Sequence, residues 1–516
     1  MRKLLFNILG LVMLSSVAVF GQIVSAANGN WSDAATWTGG VVPGATDNVV
    51  IADGDTVTID AASVGINNLT VGQGTSGELL FNSTTSVDIT IAGNIVVSAG
   101  AVFKVQTNTI ASPGLVHTIE LQGDLTNNGT LDFRTGSAGS SLSVVNLTLN
   151  GNTNSTLTTP ATYQSQGDFN KLFINKSGGA KVILGSDIFV NGGSSSAPLA
   201  NSGIVFVNGL VETGNYALVY LGTTEANVSG YSDFSYVVGA VGRGMSNSGT
   251  SSKSFPVGDG KSFERFTLYA STAGGSTGAY AIVRCIPGNA NTGSSSLSGG
   301  IDKVSEVRYY QIGYNVANGV AAPPASPTMG FNIFKTSYNT DDGVSAGNTD
   351  LRIAISTDNR ATWTALPQNY DYTTFADSLP RQFADTLSAP FTVNKGNSPI
   401  FIALARLAGT TTNELGNPTA VNEGLGLKPA SYNLQQNYPN PFNPSTKINF
   451  SIAKPGNVKL IIYNLLGQKV KELLNGFMNA GEHNITFDAG KLTSGVYLYS
   501  IRTDNFVQTK KMILMK

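Results

Sequence analysis

Residues 89–95 (ITIAGNI) and 119–125 (IELQGDL) repeat one pattern of apolar and polar residues at a distance of 30 residues. Apolar side chains alternate with polar ones up to a glycine, and the pattern returns at 147–151 (LTLNG), 188–192 (IFVNG) and 205–209 (VFVNG). Alternation with a period of two indicates short strands with one buried face, and glycine permits crowded corners between them. We therefore predict that residues 27–220 form a right-handed parallel β-helix, whose coils stack inward Val, Ile, Leu and Phe into one core.

The spacing of the glycines leaves a second fold open. They lie 30, 28, 41 and 17 residues apart, and a stack of β-sandwiches with uneven loops would also give short alternating strands. Helical patterns are nearly absent in this stretch, so either alternative predicts an all-β region.

The composition excludes several classes of protein. The 516 residues contain 31 Lys and Arg against 32 Asp and Glu, and the net charge of −1 argues against binding to nucleic acid. This length suffices for about three domains. One cysteine excludes a disulfide scaffold, and two distant histidines, His117 and His483, do not suggest a zinc site. We predict no cofactor and no resident metal ion.

The N-terminus is predicted to direct export. Arg2 and Lys3 precede an apolar run over residues 4–20, and Val24-Ser25-Ala26 supplies the small residues that a signal peptidase requires. We place the signal peptide at 1–26; a membrane anchor is the alternative, because the 17 mostly apolar residues nearly span a bilayer. No later segment has the length and hydropathy of a membrane-spanning helix, so none is predicted in the mature chain.

Residues 31–40 (WSDAATWTGG), followed by Pro43 and the stretch 47–51 (DNVVI), resemble the start of many exported bacterial β-helix and adhesin-like proteins. Trp31 and Trp37 have two alternative roles here. They can close the open end of the solenoid, where strand edges and core would otherwise be exposed, or they can form a platform on which sugar rings stack. We favour the cap, because the terminal coil of a solenoid must be closed.

Residues 221–408 are predicted to form one or two antiparallel β-sandwiches, because strands recur between turn-rich loops without helical patterns. The stretch 255–260 (FPVGDG) looks like part of a module that follows such β-helical segments in exported bacterial proteins, with Asp259-Gly260 as a turn. Asp341, Asp342 and neighbouring oxygen ligands at 339–350 are compatible with a calcium site, but a turn-rich loop is the preferred interpretation.

Two further features of this region are predicted to be structural. Residues 356–363 (STDNRATW) resemble the Asp-box hairpin, S-x-D-x-G-x-T-W, although Arg360 stands where that motif has glycine. The resemblance implies a structural hairpin and no catalytic residue. Cys285 has no histidine near it in the sequence to activate it, and we expect an inert thiol.

The C-terminal residues 431–516, which follow a linker at 409–430, hold the most specific motifs of the chain. They are 438–446 (YPNPFNPST), 458–470 (VKLIIYNLLGQKV) and 494–499 (SGVYLY), and the chain ends with a basic tail. This region closely resembles the C-terminal sorting domain of type IX secretion. The motif residues that we carry over from this resemblance are Tyr438, Pro439, Asn440, Pro441, Gly467, Gly495, Val496, Tyr497, Lys510 and Lys511.

The resemblance implies an immunoglobulin-like β-sandwich that the type IX outer-membrane machinery recognises. In the family the domain is then removed, and the cargo is released or linked to lipopolysaccharide. Charge supports a separate unit: residues 431–516 carry ten Lys and Arg against four Asp and Glu, whereas residues 27–430 carry nineteen against twenty-eight. A basic tail behind an acidic passenger fits cargo with a sorting module.

Two functions remain for the passenger. We expect a non-catalytic surface or secreted protein, adhesin-like or in contact with polysaccharide or lipopolysaccharide, that crosses the periplasm and outer membrane. The alternative is a carbohydrate-active enzyme, a polysaccharide lyase or glycoside hydrolase, on the β-helix scaffold. Acids in the helix region are scattered singly, at Asp88, Glu120, Asp124 and Asp132. Asp124 and Asp132 could meet on neighbouring strands, but no basic partner accompanies them in the sequence, and we predict no catalytic residue.

Overall fold

The computed structural model describes most of the chain between residues 21 and 515. The described ranges are 21–108, 114–135, 142–159, 169–190, 202–245, 251–272, 279–316, 328–337, 342, 344, 350–366, 368–372, 382–394, 399–410, 414–416, 432–437, 439–452, 456–464, 467–478, 481–490, 492–503 and 506–515. The predicted signal peptide, apart from residues 21–26, and most of the predicted linker lie outside them.

The first part of the chain consists of short strands with a few 3₁₀ turns. The strands are β1 Gln22–Val24, β2 Gly29–Asn30, β3 Asn48–Ile51, β4 Thr56–Ile59, β5 Ser63–Ile66, β6 Asn68–Val71, β7 Glu78–Phe81, β8 Asp88–Ile91, β9 Ile95–Val97, β10 Val102–Lys104, β11 Leu115–Leu121, β12 Leu125–Asn127 and β13 Thr130–Asp132. They continue with β14 Arg134–Thr135, β15 Ser143–Leu149, β16 Ser155–Thr158, β17 Lys171–Asn175, β18 Lys181–Leu184, β19 Ile188–Val190, β20 Gly203–Asn208, β21 Leu210–Tyr220, β22 Val228–Ser229, β23 Val237–Gly244, β24 Ser251–Phe255 and β25 Val257–Gly258. The 3₁₀ turns are Ala34–Thr36, Thr38–Gly40 and Glu225–Asn227.

Most of these strands stack into three parallel sheets, which confirms the predicted β-solenoid. Sheet 1 runs through β1, β3, β6, β9, β12, β16, β18, β21, β23 and β25. Sheet 2 contains β2, β4, β7, β10 and β13, and sheet 3 contains β5, β8, β11, β15, β17, β20 and β22. Parallel pairing therefore continues to Val257–Gly258, beyond the predicted end of the solenoid at residue 220.

The register places equivalent apolar residues above one another. In sheet 3 one inward row is formed by Val64, Ile89, Ile119, Leu147, Leu172, Ile204 and Val228, all of them buried. The Ile89 and Ile119 of the repeated pattern are thus direct neighbours across two coils. Burial of a whole row of aliphatic side chains in this way is the main source of stability in a solenoid, because no coil can bury its apolar face alone.

Aromatic side chains continue this core between the sheets. The rings of Phe81, Phe103, Phe133 and Phe169 follow one another with centroid distances of 5.1, 5.0 and 6.0 Å. His117 joins this row, since its ring centroid lies 4.5 Å from that of Phe81 and its side chain is fully buried.

The corner glycines of the repeat are required for two different reasons. A Cβ on Gly93 would lie 2.1 Å from Asn68 Oδ1, and one on Gly123 would lie 2.5 Å from the carbonyl oxygen of Gly93. Gly151 and Gly209 instead adopt φ of +86° and +90°, which favour glycine. Gly192 lies outside the described residues.

Strand β23 connects the solenoid to the next region, because it pairs with strands of both. The first half of β23 pairs in parallel with β25, while Ala240–Gly244 pair antiparallel with β27 Ala279–Pro287. Sheet 1 therefore continues into antiparallel strands. The remaining strands are β26 Phe266–Thr272, β28 Ser296–Ser298, β29 Ile301–Val304, β30 Arg308–Val316, β31 Thr328–Ser337, β32 Leu351–Ser356, β33 Thr362–Ala365, β34 Gln368–Tyr372, β35 Gln382–Asn394 and β36 Ile400–Leu407.

Two antiparallel layers make up this middle region. Strands β27, β30, β36, β32 and β29 extend sheet 1 in antiparallel pairs, and β33 follows β32 and pairs in parallel with β28. Strands β24, β26, β31, β35 and β34 form a separate five-stranded antiparallel sheet. Residues of both layers, such as Leu268 and Ile312, belong to the same apolar cluster as the solenoid core. The largest apolar cluster of the passenger therefore runs from the solenoid into both layers, and two smaller clusters lie beside it.

The C-terminal region has a core of its own. Its strands are β37 Asn433–Leu434, β38 Ser445–Ile452, β39 Gly456–Tyr463, β40 Lys469–Met478, β41 Gly481–Asp488, β42 Gly495–Arg502 and β43 Val507–Leu514. They form an antiparallel three-stranded sheet, β37-β38-β41, and a four-stranded sheet, β40-β39-β42-β43. Ile448 and Phe450 from the first sheet pack in one cluster with Leu460 and Tyr499 from the second. His483 lies within β41, opposite Phe450.

Candidate functional site

The proline-rich opening of the C-terminal region lies on its last strand. The backbone N–H of Phe442 donates to Ile513 O at 2.9 Å, and Met515 N–H donates back to Phe442 O at 2.9 Å. The Asn440 side-chain oxygen accepts a hydrogen bond from Ile513 N–H at 2.8 Å. The Asn440–Pro441 peptide is cis. The first and last motifs of the region are thus parts of one surface, although about 70 residues separate them.

A buried polar network holds this opening segment in place. The Asn437 side chain, 2% exposed, donates to Pro439 O and to Thr446 Oγ1, both at 3.0 Å. The Tyr499 hydroxyl accepts from Asn437 N–H at 2.9 Å and donates to Gln435 O at 2.8 Å. Burial raises the pKa of Tyr499 to about 12, so this hydroxyl keeps its proton and its donor role at physiological pH. Sequence reasoning quoted Tyr499 within a motif but did not assign Asn437 or Tyr499 a role.

The other predicted sorting residues occupy turns and one sheet edge. Gly467 adopts φ of +76° in the turn between β39 and β40, where its N–H donates to Asn464 O at 3.0 Å. Gly495, Val496 and Tyr497 begin β42, and the Tyr497 hydroxyl donates to Thr493 O at 2.9 Å. Pro439, Pro441, Lys510 and Lys511 are exposed or half-buried. Tyr438 lies outside the described residues.

Lys510 and Lys511 lie on β43, the terminal strand of the four-stranded sheet, which pairs with β42 on one side and is bridged by the opening segment at Leu514 on the other. Lys511 is exposed and Lys510 half-buried. Basic side chains on an edge strand prevent uncontrolled pairing with other chains and leave a positively charged strip for a partner. The structure brings this strip next to the opening segment, because Gln436 donates to Lys511 O at 2.7 Å.

Several carboxylates of the solenoid accept backbone hydrogen bonds from the neighbouring coil. Asn68, Asn94, Asp124 and Thr156 stack at one corner: Asn68 Oδ1 accepts from Asn94 N–H at 2.7 Å, Asn94 Oδ1 from Asp124 N–H at 2.8 Å, and Asp124 Oδ1 from Thr156 N–H at 2.7 Å. We call this series the corner ladder. Asp124 thus occupies the position of an asparagine in the ladder, and its carboxylate satisfies a backbone donor of the next coil.

Two more aspartates join neighbouring coils in the same way. Asp53 Oδ1 accepts from Gln73 N–H at 2.7 Å, and its other oxygen accepts from the Thr75 hydroxyl at 2.8 Å. These hydrogen bonds lower the pKa of Asp53 to about 2, so it is ionised at physiological pH. Asp187 Oδ1 accepts from Ala217 N–H at 2.9 Å.

Asp132 differs from the other carboxylates. It lies on β13 directly opposite Lys104 of β10, and Lys104 forms an ion pair with Glu78 of β7. Burial raises the pKa of Asp132, although a backbone hydrogen bond and the charge of Lys104 oppose the shift. No basic partner of Asp132 was expected from the sequence, but the register of sheet 2 places Lys104 opposite it. The structure shows no contact between Asp132 and Asp124, which lie on sheet 2 and next to sheet 1, respectively.

The tryptophans of the opening motif are buried. Trp31 and Trp37 are 3% and 2% exposed, their ring centroids lie 4.9 Å apart, and Trp37 Nε1 donates to Trp31 O at 2.8 Å. The cap interpretation agrees with this geometry, and a sugar-stacking platform does not, because neither ring has an exposed face.

The Asp-box stretch forms the expected hairpin between β32 and β33. Asp358 Oδ1 accepts from the Ser356 hydroxyl at 2.8 Å and from Thr362 N–H at 2.9 Å, and Trp363 is fully buried. Arg360, at the glycine position of the motif, adopts φ of +70°, and its guanidinium lies 4.6 Å from the ring centroid of Tyr309. The stretch therefore forms a hairpin, as its resemblance implied.

The FPVGDG stretch ends in a buried ion cluster rather than a surface turn alone. Asp259 closes the turn by accepting from Lys261 and Ser262 N–H, both at 2.9 Å. Its carboxylate also lies 3.4 Å from Arg308 Nη1, which pairs with Glu264, and Arg308 Nε lies 2.8 Å from Asp342. All four side chains are nearly inaccessible. Burial alone would lower the pKa of Arg308, but the three carboxylates raise it above its ordinary value, so Arg308 stays charged.

One of the aspartates that could have bound calcium at 339–350 belongs to this ion cluster. Asp342 contacts Arg308, and Asp350 accepts from the Thr410 hydroxyl at 3.2 Å. Apart from Val344, the other residues of that loop lie outside the described residues. Within the described ranges no group of three or more His, Cys, Asp or Glu side chains converges as metal ligands. Cys285 is buried on β27, and burial raises its pKa well above the ordinary value, so it is not a reactive thiolate.

Two comparisons with protein families match parts of this chain. Residues 436–515 match the family described as secretion system C-terminal sorting domain, and residues 36–161 match the G8 domain. No curated protein and no solved structure matches the chain. The sorting-domain resemblance is therefore confirmed, and the chain is exported, ending at the cell surface or secreted. The G8 match, which sequence reasoning did not foresee, runs from the tryptophan cap to just beyond β16.

Across the described ranges, no helix combines the length and hydropathy that crossing a bilayer would require.

Proposed function

We propose that this exported chain is a non-catalytic, adhesin-like protein whose solenoid contacts polysaccharide. The observation that carries the proposal is the use of the solenoid carboxylates. Asp53, Asp124 and Asp187 each accept backbone hydrogen bonds from a neighbouring coil. Hydrolases and lyases need a carboxylate pair, or an acid with a base, free to meet the substrate.

The outer faces of the sheets support contact with a long polymer. Thr70, Val96, Thr126 and Thr158 form one outward row on sheet 1, and Thr118 and Asn146 are paired neighbours on sheet 3. Neighbouring strands of a sheet are about 4.8 Å apart, so such rows present small polar and β-branched groups at a regular interval. A repeating polysaccharide can meet many weak hydrogen-bonding groups along such a row.

We also propose how the C-terminal region serves export. Its two sheets with a shared core fit an immunoglobulin-like sandwich, and the surface formed by the opening segment and β43 is the part that the secretion machinery would recognise. Pro439, Asn440 and Lys511 lie in this surface. After transport the domain would be removed in the linker, and the passenger would be released or attached to lipopolysaccharide.

The proposed function of the passenger is tested by measuring polysaccharide binding and polysaccharide turnover on the same panel of polymers. We expect retention of the purified protein on at least one acidic or neutral polymer, without new reducing ends or unsaturated products. Absence of binding to every polymer would contradict the polysaccharide contact, and turnover would contradict the non-catalytic assignment.

The enzyme alternative is favoured by the neighbouring Asp132 and Lys104. A carboxyl with a raised pKa beside a lysine is a combination that acid–base catalysis can use. Asp132→Asn is therefore the informative variant, and Asp53→Asn is its matched control, because Asp53 also joins neighbouring coils but accepts only from backbone N–H groups and a threonine hydroxyl. Turnover abolished by Asp132→Asn and retained in Asp53→Asn would make the chain a carbohydrate-active enzyme.

A further inference from the structure

The first strand of the solenoid lies within the segment that the sequence assigned to the signal peptide. Gln22, Ile23 and Val24 of β1 pair in parallel with Asn48, Val49 and Val50 of β3. β1 is thus the outermost strand of sheet 1 and covers the edge of β3. A signal peptide that ended at Ala26 would carry this strand away.

Ser25 and Ala26 are bound into the fold as tightly as β1. Ser25 is 4% exposed, its N–H donates to Val50 O at 2.9 Å, and its hydroxyl donates to Asp55 at 2.5 Å and accepts from Ala52 N–H at 2.8 Å. Ala26 N–H donates to Thr36 O at 2.8 Å, which ties the strand to the tryptophan cap.

Removal of these residues would leave several groups without their partners. The edge of β3 would lose its parallel neighbour, and Ala52 N–H and the Asp55 carboxylate would lose the Ser25 hydroxyl. An unpaired edge at the end of a parallel stack invites pairing with other chains. The small residues 24–26 are therefore explained by the first coil rather than by a peptidase.

We propose that signal peptidase cleaves the Gly21–Gln22 bond, so that the exported chain begins with β1. Water adds across this peptide bond, giving a carboxylate on Gly21 and a free amino group on Gln22. Gly21 provides the small residue before the cut and follows the apolar run at 4–20 directly. This inference goes beyond the proposed function and rests on the predicted signal peptide alone.

An earlier bond, after Ala18, also follows small residues, since Ser16 and Ala18 flank Val17. Cleavage there would leave the apolar Val19 and Phe20 on the exported chain. We therefore assign the cut to the end of the apolar run.

N-terminal sequencing and intact-mass measurement of the exported protein test the assignment. We expect a chain that begins at Gln22, with its N-terminal glutamine open or cyclised by loss of ammonia. A chain that begins at Ala27 or at Val19 would overturn the proposal.

Two matched leucine variants distinguish the sites without depending on the fold. A bulky residue directly before the cut blocks signal peptidase, and processing is read from the ratio of precursor to mature chain after pulse labelling. We expect Gly21→Leu to accumulate precursor and Ala26→Leu, at an exposed side chain, to be processed as the parent is. Accumulation of precursor in Ala26→Leu, or normal processing of Gly21→Leu, would refute the assignment.

Discussion

The solenoid and the C-terminal domain are both made of strands, yet they are held together differently. In the solenoid each residue pairs with its equivalent in the next coil, as Ile89 does with Ile119 and Ile119 with Leu147. In the C-terminal domain the two ends of the sequence are joined, because Phe442 near the beginning bonds to Ile513 near the end.

This difference explains why the two regions leave different traces in the sequence. A stack of equivalent positions tolerates any residue of the right class, so only a loose pattern of apolar, polar and glycine positions recurs. A domain closed by single, non-repeated contacts needs particular residues, such as Asn437 and Tyr499, at particular places. The first kind of region is recognised from periodicity and the second from a literal motif.

The largest effect is expected from removal of the C-terminal domain. Deleting residues 431–516 should block export completely and leave the protein in the periplasm, because the sorting domain is absent. The passenger should remain folded, since its apolar cluster shares no residue with that of the C-terminal domain. Cell fractionation and a thermal melt of the truncated chain measure the two outcomes.

The parent chain, fractionated and melted in parallel, is the control. Export of the truncated chain would contradict the role of the domain, and a lost cooperative melt would show that the two regions depend on each other for folding.

The next largest effect is expected at the junction between parallel and antiparallel strands. Arg308→Met leaves Asp259, Glu264 and Asp342 buried without their cation. Breaking a buried ion cluster by removing one partner costs about 3–5 kcal/mol in the free energy of unfolding. Denaturant titration measures the loss, and hydrogen exchange should show that the coils nearest Trp31 keep their protection, because repeat stability is local.

Lys181→Met is the matched control for removal of a cation. Lys181 pairs with Glu212 at 2.5 Å, but both side chains are 38% exposed, and such surface pairs contribute about 1 kcal/mol or less. Equal losses of unfolding free energy in Arg308→Met and Lys181→Met would contradict a special contribution of the buried ion cluster to stability.

Acid should destabilise the solenoid through His117. Burial lowers its pKa to about 4, and its ring is held neutral, with Nδ1 accepting from Val87 N–H at 3.2 Å and Nε2 3.1 Å from Ser143 Oγ. The unfolded chain binds a proton near pH 6.5 and the folded chain only near pH 4. The contribution is therefore present above pH 6.5 and is lost as the pH falls toward 4, by about 3 kcal/mol.

His117→Gln retains an acceptor and a donor but does not titrate. The difference in unfolding free energy between parent and variant should change between pH 6.5 and 4 and stay constant above pH 7. A parallel dependence of both proteins on pH would contradict the role of His117.

The parts that could be predicted from the sequence are those that depend on local pattern. The inward rows through Ile89 and Ile119, the tryptophan cap and the Asp-box hairpin depend on neighbouring residues or on a short motif. Parallel pairing continues beyond the predicted end of the solenoid at residue 220, because Val211, Val237 and Val257 still stack in register.

Charge partners could not be predicted, because they depend on register and on distant contacts. Lys104 faces Asp132 across one coil, 28 residues apart, and Asp259 meets Arg308 from 49 residues away. Strand alternation gives the face on which each side chain lies, but the length of each corner decides which residues become neighbours.

The smallest effect, and the most direct test of the comparison, comes from the same substitution in both regions. Asn437→Ala removes the amide from a buried position, leaving Pro439 O and Thr446 Oγ1 without that donor, at a cost of about 1–3 kcal/mol. Asn94→Ala removes one member of the corner ladder, but Asn94 is exposed and water can replace its bond to Asp124 N–H, so we expect about 1 kcal/mol or less. Denaturant titration of each region compares the two losses. The corner ladder repeats its contact in successive coils, whereas the C-terminal domain makes each contact once. A larger loss of unfolding free energy for Asn94→Ala than for Asn437→Ala would therefore contradict this distinction between the two regions.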